Sequence, residues 1–244
     1  MNGILVSFLV GACTGIGALP FLFVKKVPLA IKDGLLGFAA GIMIFASSFN
    51  LLETAMKDGD IFNIVGGIVV GAFVLTFIEY FVPHTHAEDY HKSNKTNIKK
   101  NFLLAVAVAI HNIPEGFAVG VGYGSGNVVT GINLALAIGI QNIPEGLVVA
   151  APLIDAGYSK SKVILFSFLT GIGEPIAAII GLYTVKIISN LLPFIFSFAA
   201  GAMFYVVSHE LIPESHCNNN EIVATYGFMG GLILMIIFKT FIDG

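Results

Sequence analysis

Eight apolar stretches, each about long enough to cross a bilayer, follow one another along this chain and decide what it can fold into. They run over about 3–24, 33–56, 61–82, 101–123, 128–153, 161–187, 190–212 and 221–242. Crossing ~30 Å of hydrocarbon takes roughly 20 apolar residues of helix. Inside hydrocarbon no water is available to the backbone, so a spanning segment has to be a helix or part of a closed barrel. The sequence therefore predicts an all-α, polytopic membrane protein with eight transmembrane helices. Its 56% hydrophobic and 11% charged residues lie far outside soluble averages. The 244 residues read as a single transmembrane domain, 1–244, broken by only one long connection, 83–100.

Lysine placement gives an orientation. With the N-terminus outside, the inside loops hold Lys25, Lys26, Lys32, Lys92, Lys95, Lys99, Lys100, Lys160 and Lys162, and the outside ends hold Lys57, Lys186 and Lys239. The positive-inside bias then places both termini outside and the 83–100 loop in the cytoplasm. A chain with twelve lysines, no arginine and a net charge of -3 has none of the guanidinium groups that read bases, so no nucleic-acid partner is expected. Cys13 and Cys217 lie in an apolar segment and a polar loop, and no disulfide framework is expected. Met1 to Pro20 lacks a basic leader and reads as a retained first helix.

Against this apolar background one motif occurs twice, as AIHNIPEGFA over 109–118 and GIQNIPEGLV over 139–148. His111 and Glu115 stand at i and i+4 of a helix and so share a face, about 6 Å apart along the axis. Gln141 and Glu145 repeat that spacing. Pro114 and Pro144 lack an N–H, which frees the carbonyls of Ile110 and Ile140, and Gly116 and Gly146 leave room for a neighbouring helix. Each segment thus offers a carboxylate, an amide, a freed carbonyl and an imidazole or second amide, which are ligands suited to a divalent cation. The short turn at 123–127 makes the two helices antiparallel neighbours, so both motifs reach mid-depth together. Ionised carboxylates there cost at least about 2.5–3.5 kcal/mol each, so a cation or protons must balance them.

Further polar groups interrupt the other stretches: Asn50 and Glu53 in the second, Glu79 in the third, Glu174 in GIGEPIAA of the sixth, and His209 with Glu210 in the seventh. Glu174-Pro175 repeats the motif in weaker form. Glu53 and Glu79 lie near membrane surfaces, where a role in cation passage competes with that of an ordinary interfacial carboxylate. Met43 is either core packing or a soft ligand. In the long loop His84, His86, Glu88, Asp89 and His91 cluster, either as a solvated stretch or as a weak, exchangeable metal site.

HNIPEG and QNIPEG on adjacent helices, eight helices, outside termini and a histidine-bearing loop after the third helix resemble the ZIP (Zrt/Irt-like) divalent metal transporters, particularly the bacterial GufA-like branch. The resemblance covers essentially the whole chain. It implies a two-metal centre halfway across the membrane. His111, Glu115, Gln141 and Glu145 match one position, with Met43 as a neighbour. Asn112, Glu115, Asn142, Glu145 and Glu174 match the second. Many members carry His where this chain has Gln141, and Asp where it has Asn142. The resemblance further implies a 3+2+3 bundle, with helices one to three and six to eight as inverted repeats around helices four and five, and a homodimer.

The expected function is uptake across the cytoplasmic membrane of a divalent transition metal, chiefly Zn²⁺, with Fe²⁺, Mn²⁺, Co²⁺ or Cd²⁺ as further substrates and no cofactor. Imidazole with carboxylates suits borderline cations, and the absence of Cys ligands argues against Cu⁺. Two alternatives stand beside it: export by the same fold, and a membrane-embedded metalloenzyme. The second lacks its signatures, because His209-Glu210 is followed by Leu211, Ile212 and Pro213 with no second His, and no Glu-x-x-His motif occurs within the apolar stretches.

Overall fold

The structure, a computed structural model, describes residues 3–24, 26–82 and 98–243. Among these residues the secondary structure is entirely helical. Eight segments follow in chain order: α1 (Gly3–Leu22), α2 (Leu29–Asp58), α3 (Ile61–Phe81), α4 (Ile98–Gly124), α5 (Val128–Asp155), α6 (Lys160–Ile187), α7 (Ser189–Ser215) and α8 (Glu221–Asp243). All but α4 are long and apolar enough, among the described residues, to cross a membrane. The protein is thus an all-helical, polytopic membrane protein. The loop histidines, His84, His86 and His91, with Glu88 and Asp89, lie outside the described residues.

Local chemistry sets the helix ends close to where the apolar pattern puts them. Asp60 caps α3, accepting from the Phe62 amide at 2.8 Å and the Asn63 amide at 3.0 Å. These bonds, that from Asn63 foremost, hold the Asp60 carboxyl below its ordinary range. Asn127 caps α5 through the Thr130 amide at 3.2 Å, after a turn in which Gly126 takes a φ of 81°. Pro114 and Pro144 sit inside α4 and α5, which continue through them. At Glu174-Pro175 the outcome differs. Gly171 loses its helical donor to the proline and accepts instead from the Glu174 amide at 3.3 Å, so α6 divides between Thr170 and Gly173. Glu174 therefore stands in the first turn of a new helical segment.

Packing runs along rows of small residues. α2 lies on α8 where Gly37 and Gly41 meet the backbones of Ala224 and Phe228. α3 lies on α7 where Gly67 and Gly71 meet those of Phe194 and Phe198. α1 crosses α5 at Gly146 and Thr14, and α4 crosses α6 at Gly116 and Glu174. Without bulky side chains the backbones come close enough for extensive van der Waals contact, the main source of association in lipid. Of the seven spans other than α4, α5 is the most enclosed, with 72% of its apolar stretch buried, and α3 and α8 are the least, at 17% each, so α5 is central and α3 and α8 are peripheral.

These pairings exchange with one another when α1, α2 and α3 are swapped with α6, α7 and α8, and α4 with α5. The sequence carries the same relation at a constant offset of 160 residues. SFLVG at 7–11 returns as SFLTG at 167–171, FAAGIM at 38–43 as FAAGAM at 198–203, and Gly67 and Gly71 as Gly227 and Gly231. Gly11 and Gly171, which correspond, face each other: a Cβ on either would strike the backbone of the other. α2 and α7 also share a π-helical stretch at corresponding places, Ala46–Leu52 and Val207–Leu211. Such stretches shift the helical register and turn residues on either side to different faces. They carry Asn50 in α2, and His209 and Glu210 in α7.

Candidate metal centre

The two copies of the motif meet on facing turns of α4 and α5, with α6 and α1 closing the site. Asn112, Glu115, Gln141 and Glu174 are completely buried, Asn142 is too, and Glu145 is 8% exposed. Gly116 makes this possible, because its missing side chain lets α4 lie directly on the backbone of Glu174. Gly146 does the same for α5 against Thr14.

Each amide in the site spends its N–H₂ on a neighbouring helix. Asn112 donates to the Thr170 carbonyl at 3.0 Å. Gln141 donates to Oε1 of Glu115. Asn142 donates both to the Val10 carbonyl, at 3.1 Å, and to Oε1 of Glu174, at 2.6 Å. The amide orientations follow from these bonds. What remains is a set of oxygens: Asn112 Oδ1, Glu115 Oε2, Gln141 Oε1, Asn142 Oδ1 and Glu174 Oε2 are all buried without a hydrogen-bond partner among the described residues. An unmade bond of this kind costs about 1–3 kcal/mol per group, more where the group is charged. A structural polar network would leave no such surplus. A set in which every amide nitrogen is bonded and only oxygens remain without a partner has the chemistry of a cation cage, with the N–H₂ bonds serving to aim the ligands.

His111 is turned toward α7, where Nε2 meets Oε2 of Glu210. Glu79 of α3 completes a second group: one ligand atom from each of Glu79, His111 and Glu210 lies within 4.8 Å of the others. Tyr205 donates to Oε2 of Glu79 at 2.7 Å, and Nε2 of His209 stands 3.7 Å from the same oxygen. The π-helical stretch of α7 is what presents both His209 and Glu210 to this side. His111 thus belongs by spacing to the motif face and by contact to this second cluster.

Of the eight residues expected to hold metal, the structure bonds Glu115 to Gln141 and Asn142 to Glu174, and sets Asn112 beside α6. Glu145 is buried one turn beyond Gln141. Met43 is fully buried in the main apolar cluster, in the company of Met203, its counterpart 160 residues later. The grouping of Glu79 and Glu210 with His111 was not part of the expected ligand set, although all three were visible as charged residues in apolar stretches. What hides it in the sequence is distance, because the three come from three helices.

Comparison with known proteins follows the same lines. The family described as "ZIP Zinc transporter" matches residues 82–239. The chain is 38% identical to the zinc transporter GufA of Myxococcus xanthus over 96% of both chains. It is 35% identical to the zinc transporter ZIPB of Bordetella bronchiseptica, covering 94% of this chain and 77% of that one. It is 34% identical to the zinc transporter ZupT of Clostridium perfringens, covering 97% and 96%.

Proposed function

This chain belongs to the ZIP zinc transporter family, and on that premise we propose that it carries Zn²⁺ into the cell across the cytoplasmic membrane through a two-metal centre on α4, α5 and α6. It is a transporter and not an enzyme, and the metal is its substrate rather than a cofactor. The observation that carries the centre is the set of five buried oxygens left unpartnered among the described residues while every amide nitrogen of the two motifs is bonded to a neighbouring helix. One position takes His111, Glu115, Gln141 and Glu145, with Met43 behind them. The other takes Asn112, Glu115, Asn142, Glu145 and Glu174, with the two motif glutamates shared. Neutral amides among the ligands keep the charge of the site low, so that a doubly charged ion is held and still released. Fe²⁺, Mn²⁺, Co²⁺ and Cd²⁺ meet the same ligands and are further candidate substrates.

The cluster of Glu79, His111 and Glu210 supplies the next stop. His111 can release the central metal by turning to Glu210, and Glu79 with His209 extends the route along α3 and α7. Both helices end on the side to which the lysines assign the cytoplasm, so the cluster lies between the centre and the cytoplasm and serves as its inner exit during uptake. Export would use the same groups in reverse, and zinc efflux from loaded vesicles under an outward gradient distinguishes it. The proposal includes eight spans with both termini outside and a homodimer. It also includes inverted repeats, supported by the exchange of α1–α3 packing with that of α6–α8.

The test is radioactive zinc uptake into proteoliposomes, with wild type beside His111→Ala and Glu145→Ala and with Mn²⁺, Fe²⁺ and Cd²⁺ as competitors. Saturable uptake lost in both variants is expected. Equal uptake by all three proteins would mean that the paired motif is structural glue.

A further inference from the structure

The 160-residue relation also leads to the opposite membrane surface. Applied to the cluster of Glu79, His209 and Glu210, it leads to Lys239, Phe49 and Asn50. These three residues line one cavity of about 410 Å³, whose wall also includes Thr54 and Lys57 of α2 and Asn127 and Thr130 of α5. The cavity is therefore the counterpart of the cation cluster with its charge reversed: lysine in place of one glutamate, an amide in place of the other, and an apolar ring in place of the imidazole.

No carboxylate lines it. Glu53 stands alongside, 2.9 Å from Lys239 Nζ and 3.7 Å from Lys57 Nζ, so one negative charge is set against two positive ones. The amino-terminal end of α5 opens on the same space, adding the positive pole of a helix that begins at Val128. Independently of both, the side chain of Asn50 is 4% exposed, faces the cavity, and makes no hydrogen bond among the described residues; its Nδ2 is buried and unpartnered. Two ammonium groups, of which Lys239 also donates to the Phe49 carbonyl at 3.2 Å, and the unpartnered Asn50 amide converge from α2 and α8 beside the amino-terminal end of α5, and suit a ligand with several acceptor oxygens around one centre. A dication is disfavoured by both lysines.

We infer that this cavity at the ends of α2, α5 and α8 is an oxyanion site that takes a phosphate group, held by Lys57, Lys239 and Asn50. The cavity lies where helices end, at the level of lipid headgroups, and a phosphate can reach it either as the headgroup of an anionic phospholipid or as the free ion. A bound phosphate joins α2 and α8 to α5, the helix that carries Gln141 and Glu145. Occupancy then bears on how easily α5 shifts against its neighbours.

The experiment uses the full chain in neutral detergent. Native mass spectrometry reads retention of phosphatidylglycerol against phosphatidylcholine, and equilibrium dialysis with radiolabelled inorganic phosphate reads the free ion. Preferential retention of phosphatidylglycerol identifies a lipid headgroup, and saturable phosphate binding without that preference identifies the free ion. In either case the Lys57→Gln, Lys239→Gln double variant is expected to weaken binding by about thirtyfold, at roughly 1 kcal/mol per lysine. Asn50→Asp, which puts a negative charge into the cavity without changing its shape, is expected to abolish it. Lys186→Gln, remote from the cavity, serves as the charge-matched control and retains it. Should wild type bind neither probe, or should the Lys57 and Lys239 variant bind as well as the Lys186 control, the inference is overturned.

Discussion

Glu115→Gln separates a metal ligand from a structural hydrogen bonder, because the two roles predict opposite stability changes. In the wild type Glu115 is fully buried, with one oxygen accepting from Gln141 and the other unpartnered. Without metal that arrangement is a cost. The uncharged glutamine keeps the oxygen that Gln141 bonds and needs neither cation nor proton to balance it, so the metal-free variant is expected to gain about 1–3 kcal/mol. With metal the ligand counts in favour of the wild type. Zinc at about 100 times its Kd stabilises the wild type by about 2.7 kcal/mol, and a ligand lost at about ten- to hundredfold in affinity removes about 1.3–2.3 kcal/mol of that. At about 2–4 °C per kcal/mol for a chain of this size, the zinc-induced rise in Tm shrinks from about 5–10 °C to a few degrees or less. The chain has no tryptophan, so calorimetry of detergent-solubilised protein, with and without zinc, is the appropriate readout. A metal-free variant less stable than wild type, with an undiminished response to zinc, would falsify the assignment of Glu115 as a ligand.

Three further outcomes follow from particular contacts. Gly116→Ala puts a methyl group 2.6 Å from Cα and 2.7 Å from the carbonyl carbon of Glu174, where backbone cannot yield, and is expected to cost about 1–3 kcal/mol and to weaken zinc uptake. Gly139→Ala, whose nearest new neighbour is the Cys13 sulfur at 3.7 Å, is expected to match wild type in both measurements. Glu210→Gln should slow zinc uptake by about ten- to hundredfold while leaving most of the zinc-induced Tm shift. Equal losses of uptake and of zinc binding would place Glu210 in the centre itself. Asp60→Ala should lower Tm at pH 7, because a carboxyl held below its ordinary range stabilises the fold above its unfolded pKa of about 3.9. That difference from wild type should fade as pH falls through the lower folded value, and a difference unchanged down to pH ~2 would refute the cap.

Much of the architecture could be read from apolar run lengths, because hydrocarbon leaves so few options to a backbone. The expected 61–82 became Ile61–Phe81 and the expected 161–187 became Lys160–Ile187. Ends fixed by proline were harder to foresee: Pro114 and Pro175 share a local sequence logic, yet one lies within a continuous helix and the other follows a break. The 160-residue repeat is present in the sequence as well, but only a handful of residues carry it. It becomes evident once Gly11 is seen facing Gly171 and α2 on α8 is seen to mirror α7 on α3.

By itself the sequence determined the ligand types and their spacing: two carboxylates, four amide or imidazole groups and two prolines, at intervals that bring each set to one helical face. Local periodicity is sufficient for that, since residues four apart share a face whatever surrounds them. Only the tertiary structure decided which atoms remained available. Val10 and Thr170 are apolar and hydroxyl side chains with no visible part in the chemistry, yet their carbonyls take the N–H₂ groups of Asn142 and Asn112 and so leave the oxygens unpartnered. The turning of His111 toward Glu210, and the placing of Lys239 where the other repeat has Glu79, are likewise matters of helices far apart in sequence. Hydrogen bonding and charge act over a few ångströms, and only packing brings residues from five helices within that range.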